Sequence, residues 1–146
     1  MATVHDVAAY IVGKQGHMTA MKLEKLVYYA QAWHLVWEGV PLFTEPIEAW
    51  MNGPVCPALY KRHRGSFEVT EWDGASGALT VEESSSVDAV LSYYGDWPPA
   101  KLSAQTHSEG PWRDARQGLG VTERGSSVIP LESMQAFYDA IANADD

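Results

Sequence analysis

Apolar residues recur at helical spacing along much of the chain, and the longer stretches follow residues suited to cap a helix. Thr3, with Asp6 three residues on, predicts the start of a first helix that ends near Gly16. Thr19 predicts the cap of the longest helix, over Ala20–Glu38. Because apolar residues cover more than one stripe of this helix, we expect other elements to pack on several of its sides.

The one β element that the pattern predicts is a hairpin in the middle of the chain. Apolar and polar residues alternate over 67–73 and, more weakly, over 78–82, and the intervening Gly74-Ala75-Ser76-Gly77 is typical of a turn. The earlier segment 40–53 is predicted to be an extended connection. It leads to a short helix from Pro57 to Arg64.

The second half of the chain is again predicted to be helical. A cap between Ser84 and Ser86 predicts a helix that ends at Gly95, and short helices follow over about 99–107 and 111–118. A loop over 118–127 precedes a last helix that starts near Leu131 and frays into Asp145-Asp146. The predicted fold class is mainly α, a single compact helical domain over residues 1–146 with a small β-hairpin.

Aromatic content changes this picture by suggesting a binding surface. The chain has six tryptophans and seven tyrosines among 146 residues, and these two residue types dominate the anchors of protein interfaces. Trp37 near a helix end, Trp72 in the predicted hairpin and Trp97 before a proline all lie at the edges of predicted elements. We therefore predict these three as candidate partner-binding residues.

The net charge of −9 argues against a nucleic-acid partner, because affinity for DNA or RNA depends mainly on cationic contacts to phosphates. The charge is uneven: residues 1–65 carry a net +1 and residues 66–146 a net −10. Such acidity keeps a protein in solution, and it also suits a basic partner. No stretch has the ~20 apolar residues of a membrane helix, and no secretory signal is recognised at the start, so we expect a cytoplasmic protein.

The lone cysteine is a weak candidate for catalysis. Cys56 has no second cysteine for a disulfide or a Cys-based zinc site. Its position before the Pro57 helix start is one that lowers a thiol pKa, so a Cys–His pair with His63 or His107 is one hypothesis. A cysteine packed in the core is the more common case.

The histidines likewise lack the context of an active site. His34 and Glu38 share a helix face that suits two metal ligands, but such a pair is common by chance. Ser103, His107 and Glu109 resemble a hydrolase fragment without the glycine motif around the nucleophile. A turn held by side-chain hydrogen bonds near His107 is the alternative. We predict no enzyme, no catalytic residue, no cofactor and no metal.

Three stretches in this order resemble the Panacea domain, also called the SocA-type antitoxin domain, which occurs in phage and mobile-element proteins. The first is Met21–Trp33 and the second is Ala49–Tyr60. The third comprises Leu102-Ser103, Thr106-His107, Glu109, Pro111-Trp112 and Ala115.

The resemblance implies a mostly helical antitoxin that neutralises a partner toxin, usually encoded beside it, by binding it directly. One branch of the family instead delivers its toxin to a ClpXP-type protease. We expect most of the motif residues to serve the scaffold: Leu23, Lys25, Leu26, Tyr28, Tyr29, Trp50, Gly53, Pro54, Val55, Tyr60, Thr106, His107, Pro111 and Trp112.

A second function class remains open, a phage-borne inhibitor of a host defence protein whose acidic second half mimics nucleic acid. A small toxin-like reading frame beside the gene would favour the antitoxin. Some relatives carry an added DNA-binding segment, and we recognise none here, so autoregulation of an operon is not expected.

Overall fold

Seven α-helices and two small antiparallel sheets make up residues 2–144, the part of the chain that the computed structural model describes. The prediction of a mainly helical fold with a small β-hairpin is confirmed, whereas the predicted fraying into Asp145-Asp146 lies outside the described residues. In chain order the elements are α1 (Val4–Gln15), β1 (Met18–Thr19), α2 (Ala20–Glu38), β2 (Glu48–Trp50), β3 (Gly53–Val55), α3 (Pro57–His63), β4 (Glu68–Val69), a 3₁₀ turn (Ser76–Ala78), α4 (Val81–Tyr94), α5 (Pro99–Ser108), α6 (Gly110–Ala115) and α7 (Leu131–Ala142).

Capping side chains start the first two helices at the predicted residues. The Thr3 hydroxyl accepts a hydrogen bond from the Asp6 backbone N–H at 3.3 Å, and the Asp6 carboxylate accepts one from the Thr3 N–H at 2.9 Å. This reciprocal pair satisfies two donors that a helix start leaves without partners. The Thr19 hydroxyl caps α2 by accepting a single hydrogen bond from the Lys22 backbone N–H, at 3.1 Å.

Helix α2 is the central element, as its broad apolar surface predicts. Thirteen of its nineteen residues are buried, and it packs against α1, α4, α5, α7 and β3. Its Gln31 amide donates to the Phe43 carbonyl at 2.8 Å and accepts from the Leu42 N–H at 2.7 Å. Because these backbone groups are buried outside regular structure, the amide supplies partners that no strand provides.

The predicted hairpin over 67–82 is wrong in its location. Within that segment only Glu68–Val69 is a strand, and it pairs with β1, while Ser76–Ala78 forms a 3₁₀ turn. The predicted turn is bound to α1 instead, because the Ala75 N–H donates to the Asp6 carboxylate at 2.9 Å. The true hairpin joins β2 and β3, inside a segment predicted mainly as an extended connection.

Helix α4 begins earlier than predicted. Thr80, not a residue between Ser84 and Ser86, is the cap, and it exchanges hydrogen bonds with Glu83 at 2.8 and 3.1 Å. The sequence Thr-x-x-Glu is therefore a complete capping box. It prevails over the weak alternation that predicted a strand over 78–82.

Arg116 holds the long loop before α7 against the hairpin. Its guanidinium is buried and donates to the carbonyls of Ala49, Gly120 and Glu123. The loop end also pairs with the hairpin through a bridge between Glu48 and Val128. No helix between residues 2 and 144 combines the length and the apolar character needed to cross a membrane.

Candidate functional site

An aromatic groove opens on the side of the molecule where α2, α4, α5 and α7 meet. Its volume is about 490 Å³, within the usual range for ligand and anchor pockets. Its walls are mostly aromatic and apolar, with two polar side chains. The lining residues are Trp33, Trp37, Ala89, Val90, Tyr93, Tyr94, Trp97, Gln105, Glu109 and Ile141.

The rings of the aromatic groove hold one another in place. Trp33 stacks on Trp37 with ring centroids 5.5 Å apart, and Tyr94 meets Trp97 edge to face at 5.0 Å. The Trp33 indole N–H donates to the Tyr94 hydroxyl at 3.2 Å. Trp37 is 44% exposed whereas Tyr94 is 6% exposed, so the groove presents part of this aromatic wall to solvent.

A buried carboxylate, Glu109, lies in the same groove and is 5% exposed. Its Oε1 accepts hydrogen bonds from the Tyr29 hydroxyl at 2.8 Å and the Tyr138 hydroxyl at 2.7 Å. Its Oε2 accepts one from the Gln105 amide at 3.1 Å. Burial, together with the nearby Glu109 charge, raises the pKa of both tyrosines, so they remain protonated donors.

A second cleft, of about 660 Å³, lies between the β2–β3 hairpin and the loop before α7. Trp50 and Tyr60 meet there edge to face at 4.8 Å, and the Trp50 indole N–H donates to Glu48 at 2.8 Å. This cleft is lined by much of the second motif stretch, namely Trp50, Met51, Asn52, Val55 and Tyr60, with Met21, Arg124, Gly125 and Ser126.

Two of the three predicted partner-binding residues come together. Trp37 and Trp97 both line the aromatic groove, although they are sixty positions apart in sequence. Trp72 lies elsewhere, half-buried beside α3, where it stacks on His5 at 6.1 Å and donates to His5 Nδ1 at 3.3 Å. The structure thus separates Trp72 from the other two.

Most residues of the family motifs are buried, as a scaffold role requires, although that role itself stays a prediction. The structure explains why one motif residue, Gly53, is a glycine. Its φ is +120°, and a Cβ there would lie 2.6 Å from Cε of the buried Lys25 side chain. A larger residue would therefore displace Lys25 and strain the hairpin. The fully buried members include Leu23, Leu26, Tyr28, Tyr29, Val55 and Thr106.

Cys56 and His63 share a partner instead of forming a nucleophile pair. The Glu24 carboxylate accepts the Cys56 backbone N–H at 2.8 Å and contacts His63 Nε2 at 2.7 Å. Burial raises the pKa of the Cys56 thiol to about 12, so it stays protonated near neutral pH. Within residues 2–144 no hydrogen bond connects its sulfur to a histidine.

The Ser103, His107 and Glu109 side chains serve three different contacts. The Ser103 hydroxyl approaches the Asn52 carbonyl at 3.4 Å, and Glu109 binds tyrosines. The His107 ring stacks on Trp112 at 4.3 Å, its Nε2 is buried without a partner among the described residues, and burial lowers its pKa. The predicted side-chain hydrogen bond to the backbone is made by Thr106, whose hydroxyl donates to the Ser103 carbonyl at 2.9 Å.

His34 uses its Nδ1 in a hydrogen bond with Ser86 Oγ, at 2.8 Å. Across residues 2–144 no three His, Cys, Asp or Glu side chains converge in a way that suits a metal ion.

Sequence reasoning missed most of the aromatic groove. Trp33 belongs to a motif stretch and Tyr94 to a predicted helix, and Glu109 is named in a motif and in the hydrolase-like fragment, so none of the three is predicted to line a binding surface. Their shared surface depends on how four helices pack, which periodicity within one helix does not reveal. The available signal was the Tyr93-Tyr94 pair near a helix end, followed by Trp97.

Comparison with known proteins gives one informative match. Residues 23–113 match the family described as antitoxin SocA-like, Panacea domain. Searches of curated proteins and of solved structures give no match. The matched segment covers more than half of the chain and contains the three motif stretches apart from Met21-Lys22 at their start and Ala115 at their end. The chain therefore belongs to the SocA-like Panacea domain family of antitoxins.

Proposed function

We propose that this protein is an antitoxin that neutralises a partner toxin by direct protein–protein binding, with the aromatic groove as the centre of the interface. The observation that carries the proposal is the meeting of Trp37 and Trp97 in one groove of a chain from an antitoxin family. Interfaces draw most of their binding energy from a few aromatic residues in well-packed pockets.

The exposed part of the groove suits an anchor from a partner. Tyr93 is 67% exposed, Trp37 and Ile141 are each 44% exposed, and all three line the groove. Large apolar side chains that meet in one concave site mark a binding surface, whereas isolated ones are ordinary. A partner that covers this groove would bury them together.

Acidic side chains next to two of the groove tryptophans support a basic partner. Asp96 is exposed and adjoins Trp97, and exposed Glu38 adjoins Trp37. Charges at the rim of an interface attract an oppositely charged partner and raise the association rate. Neutralisation by this route needs a stable complex and no cofactor.

The test is a growth assay in which the neighbouring toxin candidate is expressed with and without this protein, followed by purification through a tag on either partner. Rescue of growth with co-purification supports sequestration. Trp37→Ala should weaken the complex about tenfold or more, as loss of an aromatic hot spot does. Phe67→Ala is the matched control, because Phe67 is 78% exposed and outside the groove.

Other outcomes would change the proposal in defined ways. Rescue with disappearance of the toxin would place the protein in the branch that delivers a toxin to a ClpXP-type protease. No rescue by any neighbouring frame, together with tight binding to a host defence protein, would replace the proposal with the inhibitor of host defence. Full retention of toxin by Trp37→Ala would remove the groove from the interface.

A further inference from the structure

Glu109 is a buried carboxylate without a cationic partner among residues 2–144. The ion pairs in that part of the chain are His17–Glu68 and His63–Glu24, and neither involves Glu109. Its three hydrogen-bond donors, from Tyr29, Tyr138 and Gln105, are neutral. A carboxylate offers about four acceptor positions, so one position on Oε2 remains after these contacts.

An unpaired buried charge is costly in a protein interior, and an opposite charge brought within hydrogen-bond distance offsets that cost. Glu109 lines the aromatic groove, so a side chain that enters the groove approaches this carboxylate. The side chain that best fits the groove therefore carries a positive charge on its terminal group.

The walls favour the same kind of group. Rings of Trp33, Trp37, Tyr94 and Trp97 line the groove, and the faces of such rings attract ammonium and guanidinium groups within about 6 Å. This attraction already operates at one of them, since Lys101 Nζ lies 4.1 Å from the Trp97 ring centroid. Aliphatic stems of lysine and arginine also pack well on apolar walls.

We propose that the aromatic groove is a receptor for a cationic side chain, an arginine or lysine of the partner protein, which pairs with Glu109 while its stem packs between the tryptophans. The identity of the partner rests on the proposed function, but cation binding by the groove can be tested without that partner. An arginine suits the site best, because its planar guanidinium both stacks on aromatic rings and donates to a carboxylate.

The probe is N-acetyl-arginine amide, compared with N-acetyl-citrulline amide, which has nearly the same shape and no charge. Indole N–H signals of the six tryptophans report where each probe binds. The arginine probe should shift Trp33, Trp37 and Trp97 and bind roughly tenfold more tightly than the citrulline probe. Trp50, Trp72 and Trp112 lie outside the groove and serve as internal controls.

Protein variants separate the charge from the fold. Glu109→Gln keeps an oxygen that can accept from Tyr29 and Tyr138 but removes the charge, so the preference for arginine over citrulline should disappear. Should this variant fail to fold, Trp37→Ala removes an exposed ring and should weaken the arginine probe several-fold. Phe67→Ala should leave both probes unchanged.

Equal affinity of the wild-type protein for the two probes would overturn the cation site, as would shifts confined to Trp50, Trp72 and Trp112. That result is distinct from failure of the proposed function. Loss of cation preference with intact growth rescue would refute only the chemistry of the groove. A groove that prefers arginine in a protein that rescues no toxin would refute only the antitoxin proposal.

Discussion

Lys25 is a buried residue whose charge is costly to accommodate. It is 2% exposed, next to Gly53 and Thr106, and its neighbour along the helix is the buried Glu24. Burial lowers the pKa of Lys25 to about 8, an effect that Glu24 partly opposes. A lysine that loses its proton more readily when folded makes folding less favourable at neutral pH than at alkaline pH.

This predicts a contribution of Lys25 to stability that rises with pH over a defined window. Between the folded pKa of about 8 and the ordinary value of 10.5, Lys25 binds its proton more tightly in the unfolded chain than in the folded one, so its contribution to the free energy of unfolding increases with pH. From pH 7 to pH 9.5 the wild type should gain about 2 kcal/mol relative to Lys25→Met, as measured by urea unfolding of both proteins. Parallel pH profiles of the two proteins would contradict this, because they would mean that Lys25 has the same pKa in the folded and unfolded states.

Cys56 should be chemically inert while the protein is folded. The thiol is 1% exposed and its pKa is raised to about 12 by burial. Its reaction with an aromatic disulfide reagent at pH 8 should be at least about 100-fold slower than in denaturant, because it depends on transient opening. Rapid labelling with an unchanged circular dichroism spectrum would contradict this and would support the hypothesis that the Cys56 thiol is a nucleophile.

Capping side chains decide element boundaries here, and Thr80 gives a direct test. Removal of a capping hydroxyl costs a helix about 1 kcal/mol, so Thr80→Ala should lower the free energy of unfolding by about that amount. Ser84→Ala is the matched control. Ser84 lies within the first turns of α4, where its hydroxyl donates to the Val81 carbonyl at 3.1 Å and caps no backbone N–H. The Ser84→Ala substitution should therefore change the free energy of unfolding little.

At the scale of elements, the sequence predicts the helices well and the strands poorly. Thr3, Thr19 and the Pro57 helix start act through neighbours within four residues, and the structure confirms each of them. The strands depend on distant partners, because Met18–Thr19 pairs with Glu68–Val69, and α2, the β2–β3 hairpin and α3 lie between them in the sequence. Local alternation over 67–82 carries no information about that partner, and the predicted hairpin was wrong for this reason.

At the scale of the molecule, the groove follows from helix packing and not from a motif. Edge position was enough to select Trp37 and Trp97, but it selected Trp72 equally, which packs on His5 instead. Glu109 has its proposed role only because Tyr29 of α2 and Tyr138 of α7 converge on it, from positions 80 and 29 residues away. Such convergence depends on the tertiary arrangement.

The whole-molecule charge predicts how binding should divide between association and dissociation. Exposed Glu38 and Asp96 adjoin the groove tryptophans in a chain of net charge −9, so they should attract a basic toxin before contact. Reversing both, as Glu38→Lys with Asp96→Lys, should lower the association rate about tenfold at low salt and flatten its dependence on ionic strength.

Trp37→Ala should act on the other rate constant, because an anchor contributes after the complex has formed. We expect the dissociation rate to rise about tenfold or more while the association rate changes little. Surface plasmon resonance at two salt concentrations separates the two effects, with Phe67→Ala as the matched control. If charge reversal accelerated dissociation and left association unchanged, Glu38 and Asp96 would be buried contacts of the complex, and the interface would extend beyond the groove onto its acidic margin.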